Sequence, residues 1–329
     1  MTKSVIGLDL GGTKIAAALF SERGGPRRRE SVALEGRTGR DVAVLLVERV
    51  CALLEAAERD GEPAAGVGIA VPGIYRAATE TVWAPNIPGW DDYPLVADVR
   101  EVAPDGMTVR VDSDRACAIL GEVWRGSAAG AQNAVFLVVG TGIGAGILAD
   151  GRIVRGVGDA AGAIGWLALD RPFREGYESV GCFEYHASGP GIAAKALRLM
   201  AADAGYDGGL RRRNDATITA QDVFAAYDDR DPIAVRVLDE AIVYWGMAVA
   251  NLVSLFNPET IIFGGGVFGP AVQFLGRIRE EATRWAQPIS GRQVALRAAQ
   301  LGDDAVLYGA ACLVLPSQSQ SPANSNQLT

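Results

Sequence analysis

Residues Val5–Phe20 read VIGLDLGGTKIAAALF. Val5 to Leu10 is an apolar run broken only by Gly7 and Asp9, and it resumes at Ile15–Phe20 after Gly11-Gly12-Thr13-Lys14. Two short strands joined by a glycine turn fit this pattern better than a helix. Paired glycines let backbone N–H groups approach a phosphate with no Cβ in the way. Asp9 is a carboxylate inside an apolar strand, which is costly unless it is paired or faces a cation; Mg²⁺ is a natural partner. On its own a Gly-Gly hairpin is more often an ordinary structural turn, so downstream glycine loops must decide.

The chain has 329 residues, of which 49% are apolar, enough for two domains with real cores. Its net charge of −8 argues against nucleic acid and anionic membrane as partners. Met1–Lys3 leads straight into a strand, so no signal peptide is expected, and no apolar run approaches membrane-spanning length. Cys51, Cys117, Cys182 and Cys312 are well separated, which suggests neither a disulfide framework nor a thiolate metal clip. A reduced cytoplasmic location is expected.

Working outward, Ser21–Arg29 reads as a polar turn and Ser31–Leu34 as a third strand. Asp41–Asp60 carries apolar residues at helical spacing, and Ala65–Val71 is a buried strand ending in Pro72-Gly73. Trp83–Trp90, WAPNIPGW, is too rich in proline for helix or central strand and is read as a loop holding Asn86. Met107–Val111 reads as a strand and Asp114–Trp124 as a helix. Alternating strands and helices give an α/β layer fold. The second half repeats the opening grammar: strand Ala134–Val139, glycine turn Gly140–Gly146, and an apolar pattern resuming through Leu148. Helices are expected at Pro232–Phe256, Pro270–Ala286 and Leu301–Leu315, with strands at Thr260–Phe263 and Val294–Leu296. The Ser/Gln/Asn/Pro-rich stretch 316–329 reads as a disordered tail.

Three glycine loops thus follow buried strands: Gly11–Lys14, Gly140–Gly146 and Gly264–Gly266. A polyanion held between two duplicated domains calls for such cradles; the alternative is three unrelated turns. A dinucleotide-binding GxGxxG reading is poor, because Gly140–Gly146 leads into strand-like residues rather than a helix, and no GxxxxGK[ST] loop is present.

The motifs DLGGTK, VVGTGIGAGIL, NPETIIFGGG and LGDDAVLYGAA resemble those of the ROK family of sugar kinases, in the actin/hexokinase-like ATPase superfamily. The resemblance spans Ser4 to Leu315. It implies two actin-like, ribonuclease-H-like lobes with mixed sheets flanked by helices and an active site in the cleft between them. The N-terminal lobe would be 1–114, completed by a returning helix at 302–315, and the C-terminal lobe 115–301. Gly11, Gly12, Thr13 and Lys14 with Gly140, Thr141, Gly142 and Gly144 would hold the ATP phosphates. Gly264, Gly265 and Gly266 would hold the adenosine side, and Asp9 would assist Mg²⁺. The family's catalytic aspartate lies in a motif like N-D-x-N-x-A-x-L-G-E, whose frame Ser113–Glu122 fits with Asp114 on the aspartate. Both flanking asparagines are replaced, by Ser113 and Ala116. Phosphoryl transfer to an alcohol needs such a carboxylate to take the hydroxyl proton. Local sequence alone reads Asp114, like Asp112, as a helix N-cap.

On the substrate side, Asn86 fits the family's hydroxyl-binding asparagine and Glu184 its pocket glutamate, the alternative for Glu184 being a solvated loop carboxylate. Ser113 and Asp114 would line the same side. The family's GEIGH segment supplies a glutamate and a histidine near the first and second ring hydroxyls; here Gly162-Ala163-Ile164-Gly165-Trp166 places Ala163 and Trp166 there. A family zinc uses that histidine and three cysteines of CxCGxxGC, of which only Cys182 survives, so no zinc is expected. Phe173, Tyr177 and Phe183 are available to hold the loop by packing instead. His186, the one histidine in the chain, reads as a hydrogen-bonded structural residue. The expected function is an ATP-dependent kinase acting on the primary hydroxyl of a sugar-like acceptor, favouring a C7-cyclitol of the valiolone type or an aminosugar such as kanosamine. An ordinary glucokinase or hexose 6-kinase is the alternative. A sugar-binding regulator without catalysis is the reading from another class; ROK repressors carry a DNA-binding module before the first strand, where this chain begins. The resemblance also implies a homodimer.

Overall fold

The computed structural model describes residues 4–21, 24–212 and 218–315. The expected tail at 316–329 and the Met1–Lys3 start lie outside them. The chain divides into two compact units, Met1–Asp114 with Gly309–Thr329, and Arg115–Tyr308.

The first unit contains β1 (Ser4–Leu10), β2 (Lys14–Ser21), β3 (Pro26–Ala33), α1 (Gly39–Arg59), β4 (Ala64–Val71), β5 (Ile74–Arg76), β6 (Thr81–Trp83), α2 (Leu95–Arg100) and β7 (Thr108–Ser113), and ends at the first residue of α3 (Asp114–Arg125). Its main sheet runs β3-β2-β1-β4-β7. The first three strands are antiparallel, and β4 and β7 run parallel to β1. β1 and β2 are buried almost throughout, which explains their near-continuous apolar sequence. β3 departs from expectation by starting at Pro26, inside the stretch read as a turn. It is an exposed edge strand, and Pro26 with Arg27–Arg29 blunts that edge. α1 lays Val42, Leu46, Val50 and Leu53 against the sheet. The returning chain closes the unit: a Cβ on Gly68 of β4 would fall 1.8 Å from the Ala310 carbonyl oxygen, so only glycine lets that segment lie against the strand.

The second unit continues α3 and holds β8 (Ala134–Val139), β9 (Ile143–Ala149), β10 (Arg152–Ile153), α4 (Tyr177–Val180), α5 (Cys182–Ala187), α6 (Gly189–Ala202), α7 (Ala220–Asp228), α8 (Pro232–Phe256), β11 (Thr260–Gly264), α9 (Leu275–Trp285), α10 (Pro288–Gln293), β12 (Ala295–Ala298) and α11 (Ala305–Cys312), which passes back at Gly309. Its sheet order, β10-β9-β8-β11-β12, repeats the first: an antiparallel hairpin followed by two parallel strands. This is the ribonuclease-H-like arrangement twice over. α8 starts where its sequence dictates: Asp231 caps it by accepting from the Ile233 and Ala234 N–H groups, and Pro232 follows as the first helical residue. The stretches expected as single helices at 270–286 and 301–315 each begin with a 3₁₀ turn, Pro270–Phe274 and Gly302–Asp304. Among the described residues no helix is long and apolar enough to cross a membrane.

Candidate active site

In the first unit the parallel strands bring three positions into register: Asp9 pairs with Ala70, and Ala70 with Asp112. Asp9 and Asp112 therefore stand two strands apart, about 10 Å at ordinary strand spacing. The carboxyl ends of parallel strands are the usual place for ligands in such sheets. β7 ends at Ser113, whose N–H donates to Asp112 Oδ1 at 2.8 Å, and Asp114 opens α3 half-buried. The β1–β2 turn is closed by the Gly11 N–H on the Lys14 carbonyl at 2.9 Å, leaving Gly12, Thr13 and Lys14 exposed. Asn86 comes to this turn: a Cβ on Gly12 would lie 2.9 Å from its Nδ2. The first loop, Asn86, Asp9, Ser113 and Asp114 thus belong to one unit.

The second unit assembles the rest. The Gly140 N–H donates to the Gly142 carbonyl at 2.9 Å, and the Gly140 carbonyl accepts from the Gly189 N–H, also at 2.9 Å. The start of α6 is thereby pinned beside the second glycine loop, where a helix N-terminus favours anions. Ser188 caps α6, its hydroxyl accepting from the Gly191 N–H. Gly265 has φ 88° and packs so closely on the Val139 carbonyl that a Cβ would stand 2.5 Å away, while Gly266 faces open space. A cavity of about 620 Å³ opens between Gly140–Thr141, Gly266–Val267, the first turns of α6 and the start of α7, with Ala193, Leu197 and Ile218 among its apolar walls. Backbone loops beside an apolar chamber suit a nucleoside triphosphate: phosphates on N–H groups, base among aliphatic side chains. Two of the glycines expected to hold the nucleotide, Gly144 on the phosphate side and Gly264 on the adenosine side, are also closely packed. Gly144 is buried within β9, where a Cβ would meet Arg115 Cδ at 2.8 Å, and Gly264 ends β11 beneath Phe136, 2.4 Å from where its Cβ would be. Both positions are required to be small by packing.

Glu184 lies on α5, half-buried rather than in a solvated loop. Its Oε2 accepts from the Ile143 N–H at 2.6 Å, the carboxylate's one hydrogen bond among the described residues. Burial raises its pKa above the ordinary glutamate value, and the Ile143 N–H offsets part of that rise. Glycines make room for it: Cβ atoms on Gly142 and Gly165 would stand 3.0 and 2.9 Å from Oε2. Gly165 belongs to the turn that carries Ala163 and Trp166, so the structure joins that turn to Glu184 by backbone packing. Trp166 itself is 56% exposed, and Ala163 is exposed.

Sequence reasoning missed α5, α6 and α7, and with them Pro190, Ala193, Leu197 and Ile218 of the cavity. Ser188-Gly189-Pro190 and Thr219-x-x-Asp222 were the available signals, an N-cap followed by proline and a capping box. Among the described residues no group of three or more His, Cys, Asp or Glu is placed to hold a metal ion. A magnesium ion carried by nucleotide phosphates needs fewer protein ligands, one or two carboxylates with water completing its shell. Asp9, partly exposed two residues before the first glycine loop, fits that donor set.

Duplicated sheets, glycine loops at their strand ends and carboxylates beside them define a phosphotransferase of the actin-like class. The ROK family model matches residues 5–317, and the chain belongs to the ROK family. It is 32% identical over 315 residues to a glucokinase of Halalkalibacterium halodurans, covering 94% of each chain. Among solved structures it resembles a ROK hexokinase from Thermus thermophilus, 31% identical with TM-score 0.76, covering 94% of this chain and 97% of that one. A ROK family glucokinase from Streptomyces griseus in complex with glucose and AMPPNP is 32% identical with TM-score 0.71, covering 94% of this chain and 98% of that one. The chain is an ATP-dependent sugar kinase.

Proposed function

We propose that this kinase phosphorylates the primary hydroxyl of a glucose-like acceptor whose opposite end is not an ordinary anomeric centre: a C7-cyclitol of the valiolone type, or a modified aminosugar such as kanosamine. The observation that carries the reading is the contrast around Glu184. Its carboxylate is available to a hydroxyl, yet the adjoining turn offers only Ala163 and Trp166. Alanine has no polar group, and tryptophan one N–H donor and a flat ring. A site built to hydrogen-bond a hydroxyl rejects analogues lacking it by roughly 10⁴-fold, whereas an apolar wall discriminates weakly. The reacting end retains Asp114 and Asn86.

In this reading Asp114 accepts the proton of the acceptor hydroxyl as its oxygen attacks the γ-phosphorus, and ADP leaves. Asn86, beside Gly12, orients the acceptor, and Glu184 holds a hydroxyl away from the reacting end. The N–H groups of the first two loops carry the phosphates, Gly264–Gly266 lie on the adenosine side, and the apolar chamber between α6 and α7 takes the base. Asp9 is the residue that would hold Mg²⁺, which neutralises phosphate charge when bound. A glucokinase is the second reading, favoured by 32% identity to the Halalkalibacterium glucokinase and by the likeness to the glucose-bound Streptomyces enzyme.

The test compares kcat/KM for glucose, N-acetylmannosamine, kanosamine and valiolone at one ATP concentration. The specialised reading expects valiolone or kanosamine to exceed glucose; a clear win for glucose with micromolar KM overturns it. Asp114→Asn keeps the shape but cannot take a proton, and should lower kcat about 10²–10⁴-fold with acceptor binding retained. A folded variant within a few-fold of the parent removes Asp114 from the role.

A further inference from the structure

α5 is six residues long and is preceded at its N-cap by Gly181, which offers no capping side chain. An isolated helix of that length has almost no stability of its own. Something outside it must fix the position from which Glu184 reaches the glycine loop. Glu184 and His186 are two residues apart, about 200° around a helix, and so occupy opposite faces. Glu184 faces the Ile143 N–H; His186 faces inward and is buried.

The inward face ends in a connected polar assembly. The His186 ring stacks on Tyr244 of α8, with centroids 4.2 Å apart and planes 12° from parallel. Its Nε2 lies 2.5 Å from the hydroxyl of Tyr177, itself buried on α4. That hydroxyl donates to Asp170 Oδ2 at 3.1 Å, and Arg174 Nη2 donates to the same oxygen at 2.9 Å. A phenol has one proton to give, so with Asp170 taking it, His186 Nε2 is the donor to Tyr177. On the other side Nδ1 stands 3.7 Å from Glu240 Oε1, and Glu240 pairs with Lys195 of α6 at 2.8 Å. The His186 ring foremost, then Lys195, holds the Glu240 carboxyl down to about 2, so it stays ionised. Burial and the bond to Asp170 push the Tyr177 hydroxyl well above its ordinary range, so it stays a donor.

We propose that Tyr177, His186 and Glu240 are positioning residues for Glu184, forming a polar rail that is hydrogen-bonded from Asp170 through Tyr177 to His186, continues in the 3.7 Å approach of His186 Nδ1 to Glu240, and so runs behind α5 to α6 and α8. The rail does with side chains what a metal clip does in a small loop: it fixes a segment too short to fix itself. Its functional consequence rests on the reading that Glu184 binds the acceptor.

The experiment uses the full chain with glucose and valiolone as acceptors. Tyr177→Phe removes one hydroxyl and keeps the ring; His186→Phe keeps the stack on Tyr244; His186→Gln retains a donor toward Tyr177. Tyr177→Phe and His186→Phe should raise acceptor KM about tenfold, the cost of roughly one hydrogen bond, with ATP KM and kcat within about twofold and His186→Gln close to the parent. In a Glu184→Gln background the Tyr177→Phe effect should vanish, because the rail acts through that carboxylate. An undiminished effect there, or equal rises in both KM values, overturns the proposal. If Glu184→Gln alone leaves acceptor KM unchanged, the acceptor-binding reading fails, and the rail is judged by amide hydrogen exchange. Tyr177→Phe, or His186→Gln should the former not fold, is compared with the parent. Faster exchange confined to 182–187 in Tyr177→Phe, with His186→Gln matching the parent, supports the rail. Unchanged exchange in Tyr177→Phe, or faster exchange throughout α8 in either variant, overturns it.

Discussion

Glu122 ends the stretch that begins with Asp114 and is completely buried in α3. Its Oε1 accepts from the Leu301 N–H at 2.8 Å, and its Oε2 from the Ser127 N–H at 2.7 Å and the Ser127 hydroxyl at 3.1 Å. The carboxylate thus ties the end of the helix that opens with the proposed base to the turn leading into α11. Glu122→Gln keeps the volume but turns one acceptor oxygen into a donor. Whichever way the amide rotates, one backbone N–H then faces another donor in the interior, and the remaining bond loses its charge assistance. A lost charge-assisted bond costs about 1.5–3 kcal/mol and a buried unsatisfied N–H about 1–3 kcal/mol. Relief of the carboxylate's own desolvation returns part of this, leaving about 2–4 kcal/mol. For a unit of this size that corresponds to a Tm lower by roughly 5–15 °C. Scanning calorimetry at fixed pH and protein concentration measures it. A shift under about 2 °C would refute the reasoning, since it would mean that the three donors find other acceptors when the charge is removed.

Two further outcomes are expected. Because folding raises the Glu184 carboxyl above its ordinary value, the folded chain binds that proton more tightly, and stability falls as pH rises between the ordinary and the raised value. Glu184→Gln should therefore gain Tm relative to the parent as pH increases across that window while weakening acceptor binding; a pH-independent difference between the two would show that Glu184 is not the titrating group. Protein purified without a His tag should contain far less than one zinc per chain and lose no Tm in EDTA, and stoichiometric zinc by elemental analysis would contradict this.

Legibility followed the physics of each element. β8 and α8 match their sequence bounds at Ala134–Val139 and Pro232–Phe256, because an apolar run between polar turns and an Asp-Pro cap before a long apolar helix leave few alternatives. β5 and β6 are three residues each, too short for alternation to show. α5 has no capping side chain, and its buried face meets Tyr244, far along the chain on α8, and Tyr177 of the four-residue α4, a helix too short for periodicity to show. In the site, loops made of backbone leave glycine as their signature, so all three were visible. Glycine does not say why it is there, however, and Gly144 and Gly264 turn out to be small for Arg115 and Phe136. The donor to Glu184 is a backbone N–H 41 residues away, which no side-chain pattern encodes.

The two sheets share a topology but end in different chemistry. The strands of the first unit end in side chains, with Asp9 and Asp112 in register and Asp114 just beyond. Those of the second end in Gly140–Gly142 and Gly264–Gly266 beside an apolar cavity. On the proposed reading this divides the work. The first unit supplies proton acceptance and acceptor orientation, where a single atom matters, and the second supplies a nucleotide cradle, where backbone suffices. Glu184 is the exception, a side chain of the second unit committed to the acceptor. A glycine loop is fixed by its strand, but a carboxylate on a six-residue helix is not. On that reading this is why the buried polar assembly of Tyr177, His186 and Glu240 lies behind α5, where no strand holds the chain.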